Sequence, residues 1–102
     1  MGANNRLFGL SAQVSEHLAN GIIPFCAGRA LDRDCGGCLT NFDEQGRSTG
    51  RPEKYLNTQC RLLLCFSTLH RLRPDTAGCR ELAQAESEFM LRRFWDPNLD
   101  AF

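Results

Sequence analysis

The sequence predicts an all-α fold: a small, cysteine-rich domain of three to four helices that is cross-linked by disulfides. Three observations lead to this prediction. Apolar residues recur at helical spacing in three separate stretches. Proline and glycine fall near the ends of these stretches, where they start or stop helices. Six cysteines, an even number, occur in only 102 residues. This length predicts a single domain over residues 1–102.

The first helix is predicted over residues 5–20. Its apolar residues recur at steps of three and four, and Asn20-Gly21 supplies a C-terminal stop; they are Leu7, Leu10, Val14 and Leu18. His17, near the end of this helix, is expected at the surface, where it complements the helix dipole. Residues 22–26 are predicted to be extended because Pro24 disfavours helix in the residue before it. A second, short helix is predicted over residues 27–35.

The central helix is predicted over residues 52–73. Pro52 suits the first helical position, Glu53 suits the positive end of the helix dipole, and Pro74 ends the helix. At a rotation of about 100° per residue, five residues fall on one side of this helix, the inner stripe that is predicted to face the core; they are Tyr55, Gln59, Leu62, Phe66 and Leu69. Because Leu64 and Leu72 lie off this stripe, we expect the helix to be largely surrounded by the rest of the chain.

A polar surface loop is predicted over residues 40–51, and the last helix over residues 76–93. The inner face of that helix is expected to carry Cys79, Leu82, Ala83, Phe89, Met90 and Phe94. Glu86 falls in the same sector and is expected at its rim, because a buried carboxylate needs a partner. The tail, residues 94–102, is expected to fold back over the core rather than to bind a partner.

All six cysteines are predicted to form disulfides: Cys26, Cys35, Cys38, Cys60, Cys65 and Cys79. The two in the central helix lie about 140° apart around its axis, so they do not share a face and each should reach a different segment. The cysteine order is one, a pair, a second pair and one. It resembles that of the arthropod helical neuropeptide hormones, although the spacings differ; this resemblance implies a few helices held by three bridges.

Cys35-Gly36-Gly37-Cys38 is the sharpest local motif in the chain, and three kinds of chemistry account for it. The two cysteines can be half-cystines bonded to different segments. They can be zinc ligands together with Cys60 and Cys65, since two thiolates separated by two residues bind one ion. They can also form a redox pair, although the strand and helix that usually flank such a pair are not visible.

The charge and the motifs of the sequence argue against several classes of function. Twelve basic and twelve acidic residues give zero formal net charge, so no global field favours nucleic acid or an anionic membrane. Three arginines cluster near Pro74 without interleaved aromatic residues, which makes a nucleic-acid partner unlikely. No stretch approaches a membrane span. No phosphate loop, metalloprotease motif or paired carboxylates indicate an enzyme.

The leading hypothesis is a secreted, disulfide-stabilised helical protein that acts by binding a protein partner, as an effector, toxin or hormone-like ligand, without catalysis or a cofactor. The alternative is an intracellular zinc module that binds protein or nucleic acid through a fold built on Cys35, Cys38, Cys60 and Cys65. The third is a thiol-disulfide redox protein. No apolar signal peptide is present, so secretion requires a processed chain, and a natural Met1 would favour the cytoplasm.

Overall fold

The computed structural model describes residues 2–102, with side chains from Asn4 onward. Its helical segments are α1 (Gly2–His17), a π-helical turn (Leu18–Ile22), α2 (Ile23–Phe25), a second π-helical turn (Cys26–Ala30), α3 (Leu56–Leu72) and α4 (Cys79–Arg93). The first four run on without a break, because the residues at their junctions all have right-handed helical backbones. Residues 2–30 thus form one long helix, which runs past the stop predicted at Asn20-Gly21. The prediction of a helical protein with three to four helices is confirmed, and the number is three. Within residues 2–102, β-pairing is limited to isolated bridges.

The prediction of an extended connector at residues 22–26 is wrong, because the chain stays helical through Pro24. A proline inside a helix lacks its N–H and clashes with the carbonyl group four residues earlier. Here a π-helical turn ends at Ile22, and Pro24 is the second residue of α2. Kinks and insertions of this kind are the usual way in which a helix accommodates proline.

The prediction of a separate helix over residues 27–35 is also wrong. The long helix ends at Ala30, and Leu31 adopts an extended conformation (φ −60°, ψ 119°). Asp32 then starts a tight turn, because its side chain accepts hydrogen bonds from the backbone N–H groups of Asp34 and Cys35. Such side-chain bonds to the following backbone compete with helix formation.

The core lies where α3 and α4 pack against the second half of the long helix. Its buried members are Ile23, Ala30, Cys38, Phe66, Cys79 and Leu82. The inner stripe of α3 is confirmed at Gln59 and Phe66, which are buried, and at Leu62 and Leu69, which pack against the core. The inner face of α4 is also confirmed, since Cys79, Leu82, Phe89 and Met90 are buried.

Two features of α3 differ from the prediction. The helix begins at Leu56 rather than at Pro52, because Tyr55 is extended and exposed. Just before it, the Lys54 side chain turns inward to an ion pair with Asp32, which holds this segment against the turn at residues 32–38. Leu64 and Leu72 are each about two-thirds exposed, so α3 is a flank of the domain and not a surrounded helix.

The tail folds back on itself instead of covering the core. Asp96 and Ala101 form an isolated antiparallel bridge, and the ring of Trp95 packs edge-on against Phe102 with centroids 5.0 Å apart. Phe94 packs against Phe89, whereas Leu99 and Phe102 stay exposed. Residues 40–51 form a hydrogen-bonded loop without helix. None of the helices within residues 2–102 combines the length and apolar character that crossing a bilayer requires.

Candidate functional site

The cysteine loop, residues 31–38, is a short hairpin that places Cys35 and Cys38 in opposite environments. Leu31 and Cys38 pair as an antiparallel bridge, and Gly36 N–H donates to the Asp32 carbonyl oxygen at 2.9 Å. Cys35, at the tip, is exposed, whereas Cys38 is 1% exposed. One thiol of the motif therefore meets solvent and the other is part of the core.

Gly37 allows this loop to sit directly on α4. Its φ is +70°, a conformation that favours glycine, and a Cβ there would lie 2.6 Å from a ring carbon of Phe89. The glycine between the two cysteines is thus required by both backbone conformation and close packing. The loop is pinned to α4 as well as to the core.

Gln59 holds the inner end of the loop. Its side-chain oxygen accepts from the Cys38 backbone N–H at 3.1 Å, and its amide nitrogen donates to the Cys38 carbonyl oxygen at 3.0 Å. Gln59 is fully buried, and its amide bonds both backbone groups of Cys38. An amide suits this position because it both donates and accepts.

Glu86 of α4 is fully buried, and neither of its carboxylate oxygens has a hydrogen-bond partner. The Cys38 thiol and the Lys54 ammonium group are close enough to influence it, although the thiol does not meet hydrogen-bond geometry. Lys54 is engaged mainly with Asp32, at 2.6 Å, and its ammonium group lies 5.4 Å from the Phe89 ring centroid. Glu86 is thus a buried acid that lies beside the thiol and the backbone of Cys38.

Burial decides how these groups ionise. Desolvation raises the pKa of Glu86, and the nearby thiol and Lys54 offset only part of that rise. Desolvation, together with the adjacent carboxyl, raises the pKa of the Cys38 thiol. The ion pair with Lys54 and two backbone N–H groups lowers the pKa of Asp32. The loop therefore carries an outer acid, Asp32, whose pKa is lowered, and a buried thiol, Cys38, whose pKa is raised; Glu86 of α4, beside that thiol, also has a raised pKa.

The other cysteines are distributed over the molecule. Cys79 is buried at the start of α4, and burial raises the pKa of its thiol. Cys26 is half-buried near Cys79. Burial also raises the pKa of the Cys26 thiol, and the neighbouring Cys79 adds to this rise. Cys60 and Cys65 are exposed on α3. All six cysteines are free thiols, so the predicted cross-links are not observed.

The alternative zinc set is not brought together either. Cys35 and Cys38 point to different environments, and the two α3 cysteines lie on an exposed helix surface. Over residues 2–102, no group of three or more histidine, cysteine, aspartate or glutamate side chains is arranged to hold a metal ion.

A second candidate site is the projecting segment, residues 4–14 of α1. Every side chain in it is exposed. The next turn returns to the body of the protein, where Arg73, just past the end of α3, donates to the Ser15 hydroxyl at 3.1 Å. The segment thus extends past the end of α3, and the molecule measures 57 × 32 × 22 Å.

The projecting segment exposes the apolar stripe predicted for the first helix. Leu7 is 65% exposed, Leu10 58% and Val14 59%. The stripe continues at Leu18, which packs on the core and lines an apolar groove of about 410 Å³. Leu64 and Leu69 of α3 line the same groove.

A cavity of about 610 Å³ lies at the start of α4. Arg33 and Arg80 line it, but Asp75 and Glu81 balance their charge. His70 also lines it, and its Nδ1 is buried without a hydrogen-bond partner. The cavity therefore has no clear preference for an anion or a cation.

Sequence reasoning placed Gln59 and Glu86 in the right sectors but missed what they do. Glu86 was expected at the rim and is instead fully buried. The signal was available, since Glu86 shares the inner face of α4 with Cys79 and Met90. The pairing of Gln59 with Cys38 joins residues 21 positions apart, and no local pattern indicates it.

No family model, curated protein or solved structure matches this chain.

Proposed function

We propose that this protein acts by binding a protein partner that receives the projecting segment of α1 in an uncharged, apolar groove. The observation that carries the proposal is the exposed stripe of Leu7, Leu10 and Val14 on a helix that extends beyond its own domain. These positions are i, i+3 and i+7, the spacing at which a helix presents anchors to a groove.

The charge of the segment indicates what kind of groove fits it. Between Asn4 and Ser15 the only charged residue is Arg6, so little electrostatic steering is available. Affinity then depends on burying aliphatic side chains, at about 1–2 kcal/mol for each anchor that is now about 60% exposed. A partner groove lined by aliphatic or aromatic side chains supplies this, and a charged groove does not.

The size of the segment favours a different protein over a second copy of this chain. Residues 4–14 span about 17 Å of helix, and a standard protein interface uses about 20–30 residues from each side. Because the helix is already formed, binding avoids the cost of ordering it. A short, preformed ligand helix is suited to a deep groove on a larger partner.

The test compares Leu10→Asp with Ala12→Asp. Both positions are exposed, and they lie about 160° apart around α1, so one change enters the stripe and the other does not. A photo-crosslinker at position 7 identifies the partner, and isothermal calorimetry with the purified partner measures affinity. We expect Leu10→Asp to weaken binding at least tenfold and Ala12→Asp to change it less than about twofold.

Two results would contradict the proposal. One is equal loss of affinity in the two variants, which would exclude the stripe as the contact surface. The other is a wild-type dimer in sedimentation that Leu10→Asp dissociates, which would make a second copy the occupant. Circular dichroism of both variants should match the wild type, because neither side chain contributes to the core.

A further inference from the structure

The cysteine loop carries an arrangement that partner binding by α1 does not use. An exposed thiol and a buried thiol are separated by two glycines, and a buried carboxyl group without hydrogen-bond partners lies against the buried thiol. Buried polar groups are normally paired, so an unpaired carboxyl group in a core requires an explanation. A role in moving a proton provides one.

We propose that Cys35 and Cys38 form a thiol-disulfide exchange pair in which the Glu86 carboxylate accepts the proton of the Cys38 thiol. Exposure assigns the order of attack, because an external disulfide can reach Cys35 but not Cys38. The substrate class is a disulfide on a protein surface or in a small molecule. The pair is regenerated by a dithiol reductant.

The reaction balances in two steps. The Cys35 thiolate attacks one sulfur of the substrate disulfide, forming a mixed disulfide and releasing the first substrate thiolate, which takes a proton from water. The Cys38 thiol then gives its proton to Glu86 and attacks the Cys35 sulfur. A Cys35–Cys38 disulfide forms, the second substrate thiolate leaves, and the Glu86 proton passes to it. The protein loses two electrons and the substrate disulfide gains them.

The surroundings of Cys38 explain why it needs a base at hand. Burial and the adjacent carboxyl raise the pKa of this thiol, so it does not ionise by itself at neutral pH. The charged and titratable groups that face Glu86 are the Cys38 thiol and Lys54, and Cys26 faces Cys38 from the long helix. Burial also raises the pKa of Glu86. The pKa of this acid is therefore closer to that of the Cys38 thiol than the pKa of an exposed carboxyl group would be, which favours proton transfer between them.

The backbone between the two cysteines allows them to approach. Gly36 and Gly37 have φ values of +88° and +70°, and glycine crosses between backbone regions at low cost. Gln59 meanwhile holds Cys38 in place, so the exposed Cys35 is the residue that moves.

The first experiment asks whether the disulfide forms. Cys60→Ser and Cys65→Ser together give a background without the exposed thiols of α3. The reduced protein is mixed with one equivalent of dithiobis-nitrobenzoate and digested with trypsin. Cleavage after Arg33 and Arg47 yields a peptide, residues 34–47, that contains Cys35 and Cys38 and no other cysteine. We expect this peptide to lose two hydrogens, and with Cys38→Ser to retain the aromatic thiol on Cys35. A peptide that keeps the label while Cys38 is present would overturn the proposal.

The second experiment tests Glu86 by stopped flow, in the same background. Glu88→Gln is the matched control, since Glu88 is an exposed carboxylate on the same helix. We expect Glu86→Gln to leave the first thiolate release unchanged and to slow the second at least tenfold relative to Glu88→Gln. Second-phase rates within twofold of each other would refute the role of Glu86.

The pH profile gives a readout that a structural role would not move. In the background protein the second phase should slow as pH falls through the raised pKa of Glu86, above the ordinary glutamate value of about 4.3. Glu86→Gln should lose this inflection and accelerate only at alkaline pH, where the thiol ionises directly. Should that variant fail to fold, the profile of the background protein decides, and an absent acid inflection would overturn the proposal.

Discussion

Replacing Gln59 tests most directly how the cysteine loop is attached to the core. In Gln59→Leu the volume is nearly kept, but the Cys38 backbone N–H and C=O both lose their partner. Each buried polar group left unsatisfied costs about 1–3 kcal/mol, so we expect the two together to lower the free energy of unfolding by about 2–6 kcal/mol. That is a large part of the 5–15 kcal/mol typical of a small domain.

The assay is urea and thermal unfolding followed by circular dichroism at neutral pH. For a domain of this size, a loss of about 3 kcal/mol lowers the Tm by about 12–24 °C. Gln84→Leu is the control, because Gln84 is exposed on α4 and its side chain donates to the exposed side chain of Glu88. Its cost should stay within about 0.5 kcal/mol. A Gln59→Leu protein whose free energy of unfolding is less than about 1 kcal/mol below that of the wild type would refute the reasoning that the Gln59 amide is what satisfies the Cys38 backbone.

Three further predictions concern the groups around the loop. Because burial raises the pKa of Glu86, the contribution of this carboxyl group to stability is present at acid pH and is lost as pH rises through its pKa in the folded protein. Glu86→Gln should therefore be more stable than the wild type toward urea at about pH 8, and the difference in stability should shrink toward about pH 4. Lys54→Met leaves the partly buried Asp32 carboxylate without its cation and should cost about 2–3 kcal/mol in the free energy of unfolding. Since the Asp32 pKa is lowered, the contribution of the pair should be lost in the wild type as pH falls below about 3.9. A Lys54→Met variant that loses the same stability in acid would contradict this. Gly37→Ala should destabilise the protein by about 2–3 kcal/mol, and the control Gly50→Ala by about 1 kcal/mol. Both glycines have positive φ, but only at Gly37 would the new Cβ contact an aromatic ring. Equal shifts in the Tm of the two variants would show that this contact is relieved.

The sequence predicted the parts of the fold that depend on repeated spacing. The buried faces of α3 and α4 are each indicated by several apolar residues at helical spacing, so a single residue that departs from the pattern does not change which face is predicted to be buried. Local rules did less well where one residue carries the argument. Pro24 indicated a break, but a π-helical turn absorbs it. Pro52 indicated a helix start, but the inward ion pair of Lys54 keeps the chain extended there.

The candidate site was less predictable than the fold, for a physical reason. Whether Glu86 is buried depends on what packs over α4, and the covering element is the cysteine loop, whose first part, residues 31–35, the sequence suggested was helical. Gln59 shows the same dependence, since an amide on an inner stripe indicates a buried partner without saying which one. Composition likewise suggested cross-links, whereas pairing depends on which segments face each cysteine.

The two π-helical turns determine in which direction the projecting segment presents its stripe. A helix turns about 100° per residue, so a stretch that holds one residue more than an α-helical path rotates everything before it by that angle. Leu18 belongs to both the core and the stripe, and the first π-helical turn lies between it and Ile23. Deleting Gly21 would turn Leu7, Leu10 and Val14 about a quarter of the way round the axis while their sequence stayed the same. The orientation of this surface is therefore encoded in the length of a turn that never touches it.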